Sequence, residues 1–320
     1  MSWLKAALHP SSKSKGKGPA HDYQNPSDAL PSWNPSPFDE QIRPEGRYAD
    51  ATDQDCESAK HFCLKHPLAP PRLLSSEAIE RIRAQGCGAW ELELPTVVEG
   101  RSFKGTIHNG HKSGVIRVVS KCDCPDSCIF SNLPILAGLY DPRGKDGVYY
   151  EVKMIRVPPQ PGSIAIGMAC RPYPGWRMPG WNRLSAGFHT DDCSTFFEDP
   201  DGGRAYVGEF AIKSGHVIGI GYRFATGEVF WTHNGRPLGT AFTGVFMPRE
   251  QHDVYAAIGV TGPGEAEFEA NFGAGWDFEW KEGNNWKVQG HVGMSPGGSG
   301  EADDDLPSYT DSRNDRPVLN

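Results

Sequence analysis

From Gly88 onward the chain repeats a pattern that few folds accommodate. Apolar and polar residues alternate with a period of two, in short runs, with no helical period between them. Trp90, Leu92 and Leu94 alternate with Glu91 and Glu93. Val148, Tyr150, Val152 and Met154 alternate with Tyr149, Glu151 and Lys153, and Ile164, Ile166 and Met168 with Ala165, Gly167 and Ala169. Phe268, Ala270 and Phe272 alternate with Glu267, Glu269 and Asn271, and Trp276, Phe278 and Trp280 with Asp277 and Glu279. A period of two sends successive side chains to opposite faces of a strand, so each run predicts a strand with one wet or less crowded face. Further short apolar runs lie at 115–119, 128–133, 217–222, 228–232 and 254–260. Asn234-Gly235 follows Val229-Phe230-Trp231, and that dipeptide is suited to a tight hairpin turn. About ten short strands without intervening helices predict an all-β sandwich. The many turns such a fold needs account for 38 glycines and 27 prolines in 320 residues.

The ends read differently. Residues 1–72 are broken by prolines and show no sustained period, so a disordered, Pro-rich region with at most short ordered pieces is expected there. One short helix is expected over Ser76–Gln85. Ser75 can cap it, Glu77 meets its positive end, Arg81 and Arg83 its negative end, and Gly86 can stop it. Ile79 and Ile82 share one face of that helix, so it should dock on the domain that follows. A single domain is therefore expected over 75–288. Residues 289–320 read as a solvated acidic tail, with Asp303, Asp304 and Asp305 in a row.

Charge and composition exclude several functions. A net charge of −8 argues against a protein that tracks nucleic-acid phosphates. No apolar run approaches the length needed to span a bilayer, so no transmembrane segment is expected. The start of the chain lacks the apolar stretch of a secretory signal, and eight cysteines are too few for a disulfide scaffold. A reducing, cytoplasmic setting is expected.

Motifs that could carry chemistry fail on context. Gly293-Met294-Ser295-Pro296-Gly297 spells the nucleophile-elbow pattern, but the oxyanion hole needs an N–H after the serine and Pro296 has none. Cys122, Cys124 and Cys128 are one ligand short of a zinc site. His189, Asp191 and Asp192 concentrate titratable groups after a strand, yet the same residues suit a loop that hydrogen-bonds its own backbone. No enzyme activity, metal or cofactor is expected.

Several segments resemble a known family. GVYYEVKMI (147–155), SIAIGMA (163–169), GHVIGIGYRF (215–224), GEVFWTHNGRPLG (227–239), VYAAIGV (254–260) and NFG (271–273) resemble, in order and spacing, the SPRY domain. That resemblance implies a twisted sandwich of two antiparallel sheets that recognises a segment of a partner protein through loops at one end. RPYPGWRMPGWNRLSAGFHTDD (171–192), GCGAWELE (86–93) and SNLPI (131–135) are similar to the fungal endosomal SPRY adaptors of a WW-domain HECT ubiquitin ligase. Cys193 and His216 depart from that pattern. Leu306-Pro307-Ser308-Tyr309 is an L-P-x-Y form of the PY motif such adaptors carry downstream of the domain, and WW grooves read a short polyproline-type segment of this kind.

The resemblance thus implies an adaptor. Its SPRY loops would hold a protein partner or membrane-protein cargo, while Leu306, Pro307 and Tyr309 recruit the ligase. The cargo would be ubiquitinated and sorted to multivesicular bodies, with the protein peripheral to endosomal membranes. The alternative is a SPRY interaction subunit of a chromatin or ring-ligase assembly. Tyr173, Trp176, Arg177, Met178 and Trp181 crowd one Pro/Gly-rich segment and are expected to anchor the partner. His189, Asp191 and Asp192 are expected to form the polar rim.

Overall fold

A computed structural model describes residues 52–95, 102–110, 113–207 and 211–292. Two antiparallel sheets dominate. One runs in the order β1 (Leu92–Glu93), β4 (Ser127–Ser131), β14 (Asp253–Thr261), β7 (Ser163–Cys170), β8 (Ser185–His189), β9 (Ser194–Phe197) and β10 (Arg204–Ala205), with β5 (Leu136–Ala137) also paired to β14. The other runs β13 (Arg236–Phe242), β12 (Glu228–His233), β11 (Val217–Arg223), β6 (Gly147–Arg156), β15 (Glu267–Asn271), β3 (Val115–Ser120) and β2 (Gly105–Asn109). The sandwich expected from the period-two runs is therefore present. The β12–β13 hairpin turns at Asn234 and Gly235, whose φ angles of 47° and 73° lie in the left-handed region those residue types tolerate.

The core is built by one face of each sheet. Val148, Tyr150, Val152 and Met154 of β6 meet Ile164, Ile166 and Met168 of β7, and all are fully buried. Two polar groups cross the interface. The Trp231 indole donates to the Ile166 carbonyl at 2.9 Å, and the Tyr150 hydroxyl donates to the Gly167 carbonyl at 2.5 Å. Both rings bury large apolar area while their polar atoms stay paired, which fixes how the two sheets are placed.

The other face of β6 is not the wet face that alternation suggests. Tyr149 and Glu151 are both fully buried, covered by Phe278, Trp280 and Trp286. Residues 276–280 form no strand. They cross this face as an irregular segment leading into a short 3-10 turn at Lys281–Asn285. Their alternation reflects an extended chain with Phe278 and Trp280 turned inward. Glu151 holds the segment down. Its Oε1 accepts from the Tyr149 hydroxyl and the Trp280 N–H, and its Oε2 from the Trp276 indole and the Glu279 N–H. Burial raises the Glu151 carboxyl above its ordinary range, and these donors pull it back.

The helix expected at Ser76–Gln85 is present as α2, with Ser75 accepting from the Ala78 N–H and Gly86 at φ 58°. A second helix, here α1, spans Asp53–Lys65, inside the region expected to lack sustained structure. Thr52 caps it by accepting from the Asp55 N–H and donates back to the Asp55 carboxylate at 2.9 Å. Only Cys56 and Ala59 are buried along it, an apolar stripe too narrow and small to stand out in the sequence. The chain after α1 is tied to the sandwich: the Ala69 N–H donates to the Arg171 carbonyl, Arg72 N–H to Asp253 Oδ2, and Leu74 N–H to the Tyr140 hydroxyl. No helix among the described residues is long and apolar enough to cross a membrane.

Candidate protein-interaction site

Residues 171–184 connect β7 to β8 and fold back over the outer face of their own sheet. The floor beneath them is glycine. A Cβ on Gly187 would lie 2.1 Å from the Pro179 carbonyl oxygen, and one on Gly259 would lie 2.7 Å from the Met178 sulfur. Gly167 meets the Pro179 ring in the same way. Without side chains at these positions the loop sits directly on the strands.

That close approach inverts the expected role of the loop's large residues. Tyr173, Trp176, Met178, Trp181 and His189 are buried, and Arg177 is fully so. The Tyr173 hydroxyl donates to the Met178 carbonyl at 2.7 Å and accepts from the Asn182 N–H. Met178 and Trp181 pack with Ala165 and Phe196. His189 stacks on Phe196 at 4.3 Å between ring centroids, and its Nε2–H donates to the Pro179 carbonyl. The six residues are brought together as expected, but as the inner packing of the loop rather than as an outward anchor. Aromatic rings that fold onto an apolar floor gain more than rings left in water, and here the floor lies within reach.

Asp191 and Asp192 remain half-buried at the rim. Asp191 accepts from the Ser163 hydroxyl at the start of β7 at 2.7 Å, and Asp192 from the Ser194 N–H of its own turn at 2.9 Å. Cys128 lies beneath the loop among Phe130, Ala169, Tyr173 and Ala257, where burial raises its thiol well above the ordinary range. Cys122 is exposed, and no group of three potential metal ligands occurs among the described residues.

Helix α1 closes the outer side of the loop. Phe62 meets Trp176 edge-on at 5.5 Å between centroids. Arg183 donates to the carbonyls of Cys63 (2.8 Å) and His66, where the helix presents its partial negative charge. Arg177 reaches the helix through Cys56, its Nη2 lying 3.7 Å from the sulfur.

A groove of about 440 Å³ opens beside this cover, between Phe62, Leu94, Phe130, Arg171 and Tyr173. The Arg171 guanidinium lies 4.9 Å from the Phe130 ring centre and 4.4 Å from that of Tyr255, and it pairs with Glu93 at 3.0 Å. Leu94 is 64% exposed at its edge. Sequence reasoning did not find this groove. Its available signal was Leu94, an apolar residue continuing the alternation beyond the sheet edge.

The sequence model of one family, the SPRY domain, matches residues 147–275, which include β6, the β7–β8 loop and β15. The chain carries a SPRY domain. Similarity extends beyond it. "Protein ssh4" of Sclerotinia sclerotiorum is 30% identical over 216 residues, covering 67% of this chain and 36% of that protein. A SPRY domain-containing protein of Schizosaccharomyces pombe is 30% identical over 169 residues, or 52% of this chain and 40% of that one. A Drosophila melanogaster protein named as a Ran-binding proteins 9/10 homolog is 34% identical over 141 residues, or 44% of this chain and 13% of that one. This chain therefore spans well under half the length of these relatives. The SPRY domain here carries its loop, groove and α1 cover on the eight-stranded sheet side, while the opposite sheet is sealed by residues 276–286.

Proposed function

We propose that this protein is an adaptor that joins a partner held by its SPRY domain to a WW-domain HECT ubiquitin ligase recruited by its tail. The partner is a membrane-protein cargo, ubiquitinated and sorted through endosomes to multivesicular bodies, with the adaptor working from the cytoplasm at the membrane periphery. The observation that carries this reading is the order of parts: a SPRY domain similar in sequence to Protein ssh4, followed by Leu306-Pro307-Ser308-Tyr309. The motif lies outside the described residues, so its support is chemical. Pro307 favours the extended conformation a WW groove accepts, and Tyr309 offers an aromatic ring and a hydroxyl to one pocket. Asp303, Asp304 and Asp305 immediately upstream favour a groove with basic edges.

On the SPRY side, the residues that meet a partner are those the fold leaves outward: Asp191 and Asp192 at the rim, and Arg171 and Leu94 along the groove. Tyr173, Trp176, Arg177, Met178, Trp181 and His189 shape that surface from beneath. The test is titration of a 300–313 peptide, and of its Tyr309→Ala form, into WW domains of a HECT ligase. Binding at roughly tens of micromolar is expected for the first and a loss of at least tenfold for the second, because a four-residue anchor has little surplus over its ordering cost. Equal binding by both peptides would remove the ligase and leave a SPRY interaction subunit of another assembly.

A further inference from the structure

Arg177 is the anomaly of the loop. It is fully buried, yet it forms no ion pair among the described residues. Its Nε donates to Asn182 Oδ1 at 2.8 Å, and its face lies 4.7 Å from the Trp181 ring centre. The rest of the fork is poorly served. Nη2 has only the Cys56 sulfur at 3.7 Å, and Nη1 has no acceptor among the described residues. Sulfur is a weak acceptor, and a buried guanidinium with a bare nitrogen is costly to keep. Two neighbouring donors are in the same state: the Trp181 indole N–H and the Arg183 Nε–H are buried without an acceptor. Three buried donors within seven residues of the loop thus lack an acceptor among the described residues.

What covers Arg177 is α1, which reaches it through Cys56. Only Cys56 and Ala59 are buried along the helix. Its acidic first turn faces acids of the domain. Burial raises the Asp126 carboxyl above its ordinary range; the Thr261 hydrogen bond and the Arg177 charge pull it back, and the charge of Asp55 pushes it up again. Burial and then Asp199 raise Asp201, the Arg177 charge lowers it, and Asp53 adds to the rise. Arg177 thus shares its surroundings with the charges of Asp126 and Asp201, yet the one hydrogen-bond contact that α1 gives its fork among the described residues is the Cys56 thiol.

We propose that α1 is an intramolecular cover over a carboxylate-binding pocket built on Arg177, and that an acidic partner segment occupies the pocket by displacing the helix. A ligand carboxylate meets the Nη1–Nη2 edge of the guanidinium in the bidentate geometry that suits it, where Cys56 now makes one weak contact. Arg183, released from the Cys63 and His66 carbonyls, becomes a second cation at the mouth. The proposal rests on the reading that the β7–β8 loop side of the SPRY domain is the partner face, and it adds to that reading the ligand's chemistry and an internal competitor.

The test uses the full chain and two hexapeptides blocked at both ends, one all glutamate and one all glutamine. Ala59→Lys lifts α1, since Ala59 is fully buried and the helix is not part of the sandwich. The glutamate peptide is expected to bind Ala59→Lys at least tenfold more tightly than it binds the natural chain, and the glutamine peptide to show no such gain. Adding Arg177→Gln to Ala59→Lys should abolish the preference for glutamate, and Arg177→Lys should keep part of it. In the natural chain the glutamate peptide should speed N-ethylmaleimide modification of Cys56, followed residue by residue by mass spectrometry, and the glutamine peptide should not. If the two peptides bind alike, if neither binds Ala59→Lys, or if the glutamate preference survives Arg177→Gln, the pocket is not where an acidic segment is read. None of these results touches the WW titration of the tail, so the cover can fail while the adaptor reading stands, and the reverse.

Discussion

The Tyr149 hydroxyl donates to Oε1 of Glu151 at 2.8 Å, on the face of β6 that points away from the sandwich core. Three more donors converge on the same carboxylate from residues 276–280, so a group read as solvent-facing becomes the latch for an aromatic cover. Two carboxylate oxygens accept all four hydrogens, whereas an amide would aim its own N–H₂ at two of them. Glu151→Gln is expected to cost about 2–3 kcal/mol, the penalty for leaving buried donors unpaired. A denaturant midpoint equal to that of the natural protein, at unchanged slope, would show that the aromatic packing alone holds the cover.

Tyr150, the next residue, points the other way and joins the two sheets through Gly167. Tyr150→Phe keeps the ring in the core and removes only the hydrogen bond. A loss of about 1–1.5 kcal/mol is expected. A loss above about 3 kcal/mol would mean that the ring had moved as well.

Gly187 decides how closely the β7–β8 loop can lie on its sheet. In Gly187→Ala the new Cβ would meet the Pro179 carbonyl at 2.1 Å, a backbone contact that a rotamer change cannot relieve. The loop should lift, at a cost of about 1–3 kcal/mol, and expose Trp181. A red shift in tryptophan emission and faster proteolysis between 173 and 183 are the readouts. Unchanged emission would contradict the packing described.

Two histidines contribute a loss of stability towards acid. Burial lowers His252, whose Nε2 has no partner among the described residues, and burial followed by the His216 charge lowers His233. A base whose folded pKa is depressed binds fewer protons in the fold than in the unfolded chain. Its contribution is therefore complete above the unfolded value near ~6.5 and falls as pH drops below it. Stability should decline from about pH 6.5 downwards, and His252→Leu should flatten that decline. A pH dependence unchanged in His252→Leu would refute the assignment.

Helix α1 should stabilise the domain modestly. A chain starting at Thr52 is expected to melt about 2–4 °C above one starting at Ser75, the shift about 1 kcal/mol gives in a domain of this size. Its Trp176 should also be less accessible to quencher, because Phe62 and the helix cover it. Identical melting and quenching would mean that α1 contributes no cover in solution.

Much of the scaffold was legible in the sequence because the relevant forces are local. Strand alternation, the left-handed preference of Asn234-Gly235, and the cap and stop at Ser75 and Gly86 each depend on a few adjacent residues, and each appears where its chemistry allows. Helix α1 was weakly legible: Thr52 and Asp55 signal a cap, but Cys56, Ala59 and Cys63 are too small to mark a buried stripe. The site was not legible, because burial there depends on distant partners. Glu151 is sealed by residues some 130 positions later, Arg177 by a helix 121 positions earlier, and Trp181 by Ala165 and Phe196 of two other strands. Composition identified a loop rich in aromatic anchors. Only the tertiary structure decided that they point inward, because a side chain's exposure is set by whatever packs against it and not by its own sequence neighbours.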